Sequence, residues 1–96
     1  MVRHVVMWKF RPGCEAQAAE FMEKLAALQG VIPEIRAMQV VKDASGREDY
    51  YSAMLISDFD SFEDLNTYQN DPRHKAVSAL CKEIRESRAA VDYMVD

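Results

Sequence analysis

Val2-Arg3-His4-Val5-Val6-Met7-Trp8-Lys9-Phe10 is the stretch of sequence that decides the fold. Successive side chains of a β-strand point to opposite faces of the sheet. The even-numbered residues are apolar apart from His4, and Val5 and Met7 make the middle of the other face apolar as well. A sheet face that meets water is normally polar. We therefore expect a strand here that is covered on both faces.

The rest of the chain predicts the order strand–helix–strand–strand–helix–strand. Glycine, proline and capping residues mark the breaks, with Ser61 capping one helix and Asp71-Pro72 starting a further helical segment. The predicted segments are a helix at 14–29 and strands at 35–42, 50–59 and 89–95, with a polar hairpin turn at 43–48. This order is the ferredoxin-like βαββαβ plan of the α+β class. It gives one antiparallel four-stranded sheet with helices on one face.

The sheet face without helices is predicted to be apolar. We expect it to contain Val5, Met7, Met38, Val40, Met54 and Ile56. An exposed apolar patch of that size marks an interaction site. We therefore predict a homodimer in which two open sheet faces close into a dimeric α+β barrel.

Length and composition restrict the class of protein. A chain of 96 residues forms one domain, 1–96. The net charge of −4 and the lack of a basic stripe argue against nucleic-acid binding. No apolar segment approaches bilayer length, and the first residues do not show the basic start and apolar segment of a signal peptide. We therefore expect no membrane contact and a cytoplasmic location. Cys14 and Cys81 are then expected to be free thiols.

The two histidines of the chain stand at suggestive positions. His4 lies in the first strand, and His74 follows Tyr68 by six residues with Pro72 between them. An imidazole titrates near neutral pH, and a phenol hydroxyl donates a hydrogen bond to a developing oxyanion. His74 and Tyr68 are thus the predicted catalytic residues. A structural role is the alternative, in which both side chains bond to backbone carbonyls and fix the helix junction.

Two motifs resemble one known family. The segment from His4 to Phe10 looks like the opening strand of the stress-responsive dimeric α/β-barrel domains. Phe59-x-x-Phe62, followed by Tyr68-x-x-x-Pro72-x-His74, is similar to the second signature of that family. The resemblance covers essentially the whole chain.

The resemblance implies a homodimer with a cavity between the helices and the sheet of each subunit. Most members have no assigned activity, and one plant member is a polyketide cyclase that closes an aromatic ring by aldol condensation. Its Tyr and His match Tyr68 and His74, and its first-strand histidine corresponds to His4. Asp71 stands where the plant motif has a histidine.

Several functions remain open at this point. The first is a pocket for a small apolar or aromatic molecule, without turnover. The predicted ligand contacts are His4, Val6, Trp8, Phe21 and Met22, although the last three also fit ordinary core positions. The second is a cyclase-like lyase with His74 as general base and Tyr68 as oxyanion donor, and the third is a monooxygenase on the same architecture. None of these predictions includes a cofactor, and two histidines alone make a poor metal site.

Overall fold

The computed structural model describes residues 1–96 and contains four strands and three helices. In chain order the elements are β1 (Val2–Phe10), α1 (Glu15–Ala26), β2 (Ala37–Lys42), β3 (Ala53–Phe59), α2 (Phe62–Asn70), α3 (Pro72–Ile84) and β4 (Arg85–Met94). The strands form one antiparallel sheet in the order β2-β3-β1-β4. This confirms the ferredoxin-like fold. None of the helices is long and apolar enough to cross a bilayer.

The boundaries of four elements differ from the predicted ones. Helix α1 ends at Ala26 instead of residue 29, because the chain tightens into turns before Gly30, whose φ is 83°. Strands β2 and β3 begin later than predicted, at Ala37 and Ala53, so Tyr50 and Tyr51 lie outside the sheet. The predicted strands were too long because Ile35, Tyr50 and Tyr51, which lie before the strands, are apolar or aromatic and fit a strand pattern.

Strand β4 begins at Arg85, four residues earlier than predicted, directly after the last residue of α3. The run that follows Ile84 is mostly polar and shows no apolar alternation before Ala89. Pairing with β1 explains the difference, since the ladder extends to Phe10 opposite Arg85. The amide of Arg11 also donates to the Ile84 carbonyl at 2.9 Å. Backbone hydrogen bonds are therefore available at the junction without any loop.

The predicted helix caps are confirmed. The Ser61 side chain accepts a hydrogen bond from the Asp64 amide at 3.1 Å. The Asp71 side chain accepts one from the Arg73 amide at 2.8 Å, and Pro72 fills the first turn of α3. Each cap satisfies a helix amide that has no partner within the helix.

The spacing of Phe62, Leu65 and Tyr68 predicts that all three residues lie on the inner side of α2. For Phe62 this prediction is wrong, because its side chain is 56% exposed at the first residue of the helix. Leu65 and Tyr68, one and two turns further on, form the buried side instead.

The helices cover the sheet face that contains Val2, His4, Val6 and Trp8, and the core lies between them. Cross-strand partners share a face, so the register assigns the other strands. Met38 and Val40 pair with Ser57 and Leu55 and pack against the core. Their predicted place on the open face is therefore wrong. The sequence showed the two-residue period of β2, but it did not show whether the odd- or the even-numbered residues faced the helices.

The opposite side of the sheet, which we call the open face, has no helix over it. Its apolar side chains come from all four strands: Val5, Met7, Val41, Met54, Ile56 and Val91. Arg3 and Asp58 lie on the same face and form a two-point ion pair with distances of 2.8 and 3.0 Å. The guanidinium lowers the pKa of the Asp58 carboxyl. The open face thus combines an apolar centre with one strong ion pair.

Candidate functional site

A small cavity of about 50 Å³ lies between the sheet and the helices α1 and α3, and we call it the two-histidine cavity. Its polar lining residues are His4, Gln69, His74, Ser78, Arg85 and Arg88. The remainder of the lining is mainly apolar, with Val6 from β1 and Phe21 from α1 among its members. Polar groups rarely gather in a core unless they are bonded to each other, to water or to a ligand.

His4 is the most deeply buried polar residue of the cavity lining. Its side chain is 5% exposed, and its Nδ1 lies 2.6 Å from Oδ1 of Asp92. The two residues face each other directly across the β1–β4 ladder. A carboxylate only accepts hydrogen bonds, so Nδ1 carries a hydrogen, and in the neutral imidazole Nε2 then presents a lone pair. The side chain makes no hydrogen bond to protein other than the one to Asp92, which leaves Nε2 available to a molecule in the cavity that His4 lines.

His74 reaches the same cavity from the first turn of α3. Its Nδ1 donates to the Gln69 carbonyl at 3.2 Å, which again leaves Nε2 free of protein partners. Burial lowers the pKa of His74 below its usual value, and the hydrogen bond to the Gln69 carbonyl offsets only part of that effect. His74 is therefore mainly neutral at pH 7 and can accept a proton or a hydrogen bond through Nε2.

Tyr68 lies behind His74, with the two ring centroids 4.3 Å apart. The ring also packs on Phe59 at 5.0 Å and is fully buried. Its hydroxyl is the one buried side-chain oxygen or nitrogen of the chain without a hydrogen-bond partner. Burial raises the pKa of Tyr68 above its usual value, so the group remains a protonated donor. An unpaired buried hydroxyl is costly, which favours a water or ligand atom beside it.

Aromatic packing restricts the size of the cavity. Trp8 meets Phe21 edge to face with centroids 5.1 Å apart, and Phe10 packs on both rings. A volume of about 50 Å³ holds only one or two waters, since each occupies about 30 Å³ in the liquid. A benzene ring needs a cavity of about 150 Å³. An aromatic ligand would therefore enter only if side chains moved.

The structure brings together five of the seven residues singled out from the sequence: His4, Val6, Trp8, Phe21 and His74 line one cavity. Tyr68 contacts His74 but is not part of the lining. Met22 lines a different groove, of about 880 Å³, on the other side of α1. Adjacent helical residues point about 100° apart, so Phe21 and Met22 do not face one cavity together.

The sequence analysis missed Asp92, Arg85 and Arg88. All three lie in β4, the strand whose start was predicted too late. Asp92 has the same parity as Arg88, which lies opposite Trp8 and so faces the helices. A carboxylate at a core-facing strand position was the available signal for a partner of a buried histidine.

Comparison with protein families gives one match across the chain. The family model described as Stress responsive A/B Barrel Domain matches residues 2–95. An uncharacterised protein of Streptomyces coelicolor is 30% identical over 86 residues, which cover 86% of this chain and 89% of that protein.

Solved structures with the same architecture include proteins from a bacterium and a plant. A Bacteroides fragilis protein, described as dimeric, ferredoxin-like and of unknown function, is 29% identical with a TM-score of 0.84. The match covers 98% of this chain and 95% of that one. The hydroxynitrile lyase of Passiflora edulis is 19% identical with a TM-score of 0.85, and the match covers 99% and 93% of the two chains. At that identity the plant enzyme supports the fold alone.

Proposed function

Because the chain belongs to the stress responsive A/B barrel domain family, we propose that it is a homodimer whose subunits each bind a small carbonyl compound and transfer a proton beside the carbonyl group. The observation that carries this proposal is the arrangement of His4, with Asp92 on one ring nitrogen and a cavity at the other. A base oriented by a carboxylate is a common device of proton-transfer sites.

The homodimer is proposed from the open face. Six apolar side chains without a covering helix form a surface that water solvates poorly. The similar Bacteroides fragilis protein is described as dimeric. A second copy placed face to face would bury both apolar surfaces at once and close the barrel.

The proposed reaction begins with a ligand C–H bond beside the carbonyl. His4 Nε2 takes the proton, the electron pair of that bond forms a carbon–carbon double bond, and the π electrons of the carbonyl move to its oxygen to form an enolate. Tyr68 donates a hydrogen bond to that oxygen after the ligand enters, which gives its unpaired hydroxyl a partner. His74 accepts a hydrogen bond from a ligand hydroxyl or a bound water through Nε2.

A cyclase-like lyase is the second candidate, and the contact between Tyr68 and His74 favours it. In this version His74 is the base, Tyr68 holds the oxyanion, and His4 tunes or orients one of these two side chains. The two versions differ in which histidine carries the proton, so variants of the two residues distinguish them.

Deuterium exchange of pentan-2-one in D₂O, followed by proton NMR, tests the proposal. We expect the protein to accelerate exchange, and His4→Gln to reduce the acceleration by about 10²-fold or more, as for loss of a general base. Asp92→Asn should reduce it at least about tenfold, because the amide no longer fixes the imidazole by charge. Asp49→Asn makes the same chemical change at an exposed turn and serves as the control.

Three outcomes decide between the hypotheses. A larger loss in His74→Gln than in His4→Gln transfers the role of base to His74 and supports the lyase version. Binding without accelerated exchange contradicts proton transfer and leaves a binding module. Neither binding nor exchange contradicts the proposal as a whole.

A further inference from the structure

Arg85 and Arg88 give the two-histidine cavity a chemical character that the rest of the molecule lacks. Both line the cavity together with the two imidazoles, and the lining contains no aspartate or glutamate. The chain as a whole has a net charge of −4. An acidic protein thus lines one small cavity with four basic side chains and no acidic one.

The two arginines differ from most others in the chain because no carboxylate pairs with them. Arg3, Arg36 and Arg73 each form an ion pair with an aspartate. Arg85 and Arg88 form none, and the one carboxylate behind the cavity, Asp92, is held by His4.

The sheet register directs these two side chains to the cavity. Arg88 lies opposite Trp8, and Arg85 opposite Phe10, on the face that the helices cover. Arg85 is half-buried and Arg88 exposed, which places the two guanidinium groups at the mouth rather than inside. Burial lowers the pKa of His74 and raises that of Cys81, and the positive charges of the two arginines partly offset the rise at Cys81. The field of the arginines therefore extends into the cavity.

We propose that the bound molecule is a small oxo acid, whose carboxylate pairs with Arg85 and Arg88 at the mouth while its carbonyl end lies between His4 and His74. This inference rests on the proposed function and specifies its substrate class. The guanidinium group matches a carboxylate in charge and shape. The narrow cavity limits the buried end of the molecule to a few heavy atoms. The anion also offsets the mutual repulsion of the basic groups around it.

Two ketones that differ by a carboxylate form the probe pair: 4-oxopentanoate and neutral pentan-2-one. We expect NMR titration to give tighter binding of 4-oxopentanoate by roughly tenfold or more, since a hydrogen bond to a charged group contributes that much. Arg88→Gln should remove a large part of the preference, and Arg85→Gln/Arg88→Gln together should abolish it. Binding of pentan-2-one should change little in these variants.

Lys82→Gln is the matched control, because it removes one positive charge from the adjoining helix α3 at an exposed position outside the cavity lining. Equal affinities of the wild type for the two ketones would overturn the inference. So would no binding of 4-oxopentanoate at millimolar concentration, or equal losses in Lys82→Gln and Arg88→Gln. Arg88 is exposed, so the single variant should fold even if the double variant does not.

The test separates this inference from the proposed function. If the protein accelerates exchange of pentan-2-one but shows no preference for 4-oxopentanoate, only the assignment of an oxo-acid ligand is contradicted. In another outcome the protein prefers the acid, the arginine variants lose this preference, and neither ketone exchanges. That result contradicts proton transfer and leaves an anion-binding cavity.

Discussion

Each face of the sheet departs in one respect from the usual arrangement of an apolar covered face and a polar exposed face. The covered face holds two imidazoles and an unpaired phenol hydroxyl in its core. The open face exposes valine, methionine and isoleucine side chains around one ion pair. Stability alone favours neither arrangement. Each therefore indicates something that a single chain does not contain: a ligand or water on one side and a second subunit on the other.

The largest effect should come from placing a charge on the open face. We expect Met7→Glu to raise the dimer dissociation constant at least about a hundredfold, because an unpaired charge in an apolar interface costs several kcal/mol. Sedimentation velocity over a range of concentrations measures this. Gln29→Glu adds the same charge at an exposed turn and should leave the dimer intact.

Val40→Glu makes the comparison of the two faces sharper. Val40 packs against the core on the covered face, so its replacement should lower the free energy of unfolding by about 3 kcal/mol. Dimer dissociation without loss of folding stability in this variant would contradict the face assignment.

A smaller effect is expected at the unpaired hydroxyl. Tyr68→Phe should leave the free energy of unfolding unchanged or raise it by up to about 1 kcal/mol, because it removes a buried polar atom that has no protein partner. The same change should slow ketone exchange. Tyr50→Phe, at an exposed tyrosine, is the control for denaturant unfolding. A loss of more than about 1 kcal/mol in Tyr68→Phe would show that the hydroxyl has a protein partner.

The smallest effect is a pH dependence due to His74. Burial lowers its folded-state pKa below the ordinary histidine value of 6.5, so the unfolded chain binds more protons as the pH falls through this range. Stability from this residue is complete above pH 6.5 and declines toward the lowered pKa. We expect the melting temperature of His74→Gln to change less between pH 7 and 5 than that of the wild type. Lys75→Gln should behave as the wild type, and an equal slope in His74→Gln would refute the assignment.

The fold was accessible from the sequence because its signals are local. Alternation in β1, the Ser61 cap and the Asp71-Pro72 restart each depend on a few neighbouring residues. The register of β2 could not be predicted from the sequence, because it depends on where the chain re-enters the sheet after an irregular turn. Met38 and Val40 were assigned to the wrong face for that reason.

The cavity was predictable only in part. His4 and His74 stood out by residue type, and their convergence follows from the fold. Asp92 did not stand out, because its pairing with His4 requires knowledge of the β1–β4 register and not only of the adjacency of the two strands. The cavity volume depends on how Trp8 and Phe21 pack, which no pattern of residue types specifies.

The junction between Ile84 and Arg85 has a consequence for how this chain tolerates changes in length. Helix α3 passes into β4 without a loop, and the ladder with β1 already has a register shift at its first step, where Arg85 pairs with Phe10 and Ser87 with Lys9. One extra residue beyond that step would reverse the parity of the strand that follows. Asp92 would then turn away from His4 toward the open face, and Val91 would turn into the core. A single insertion at this point would thus exchange the inner and outer surfaces of an entire strand.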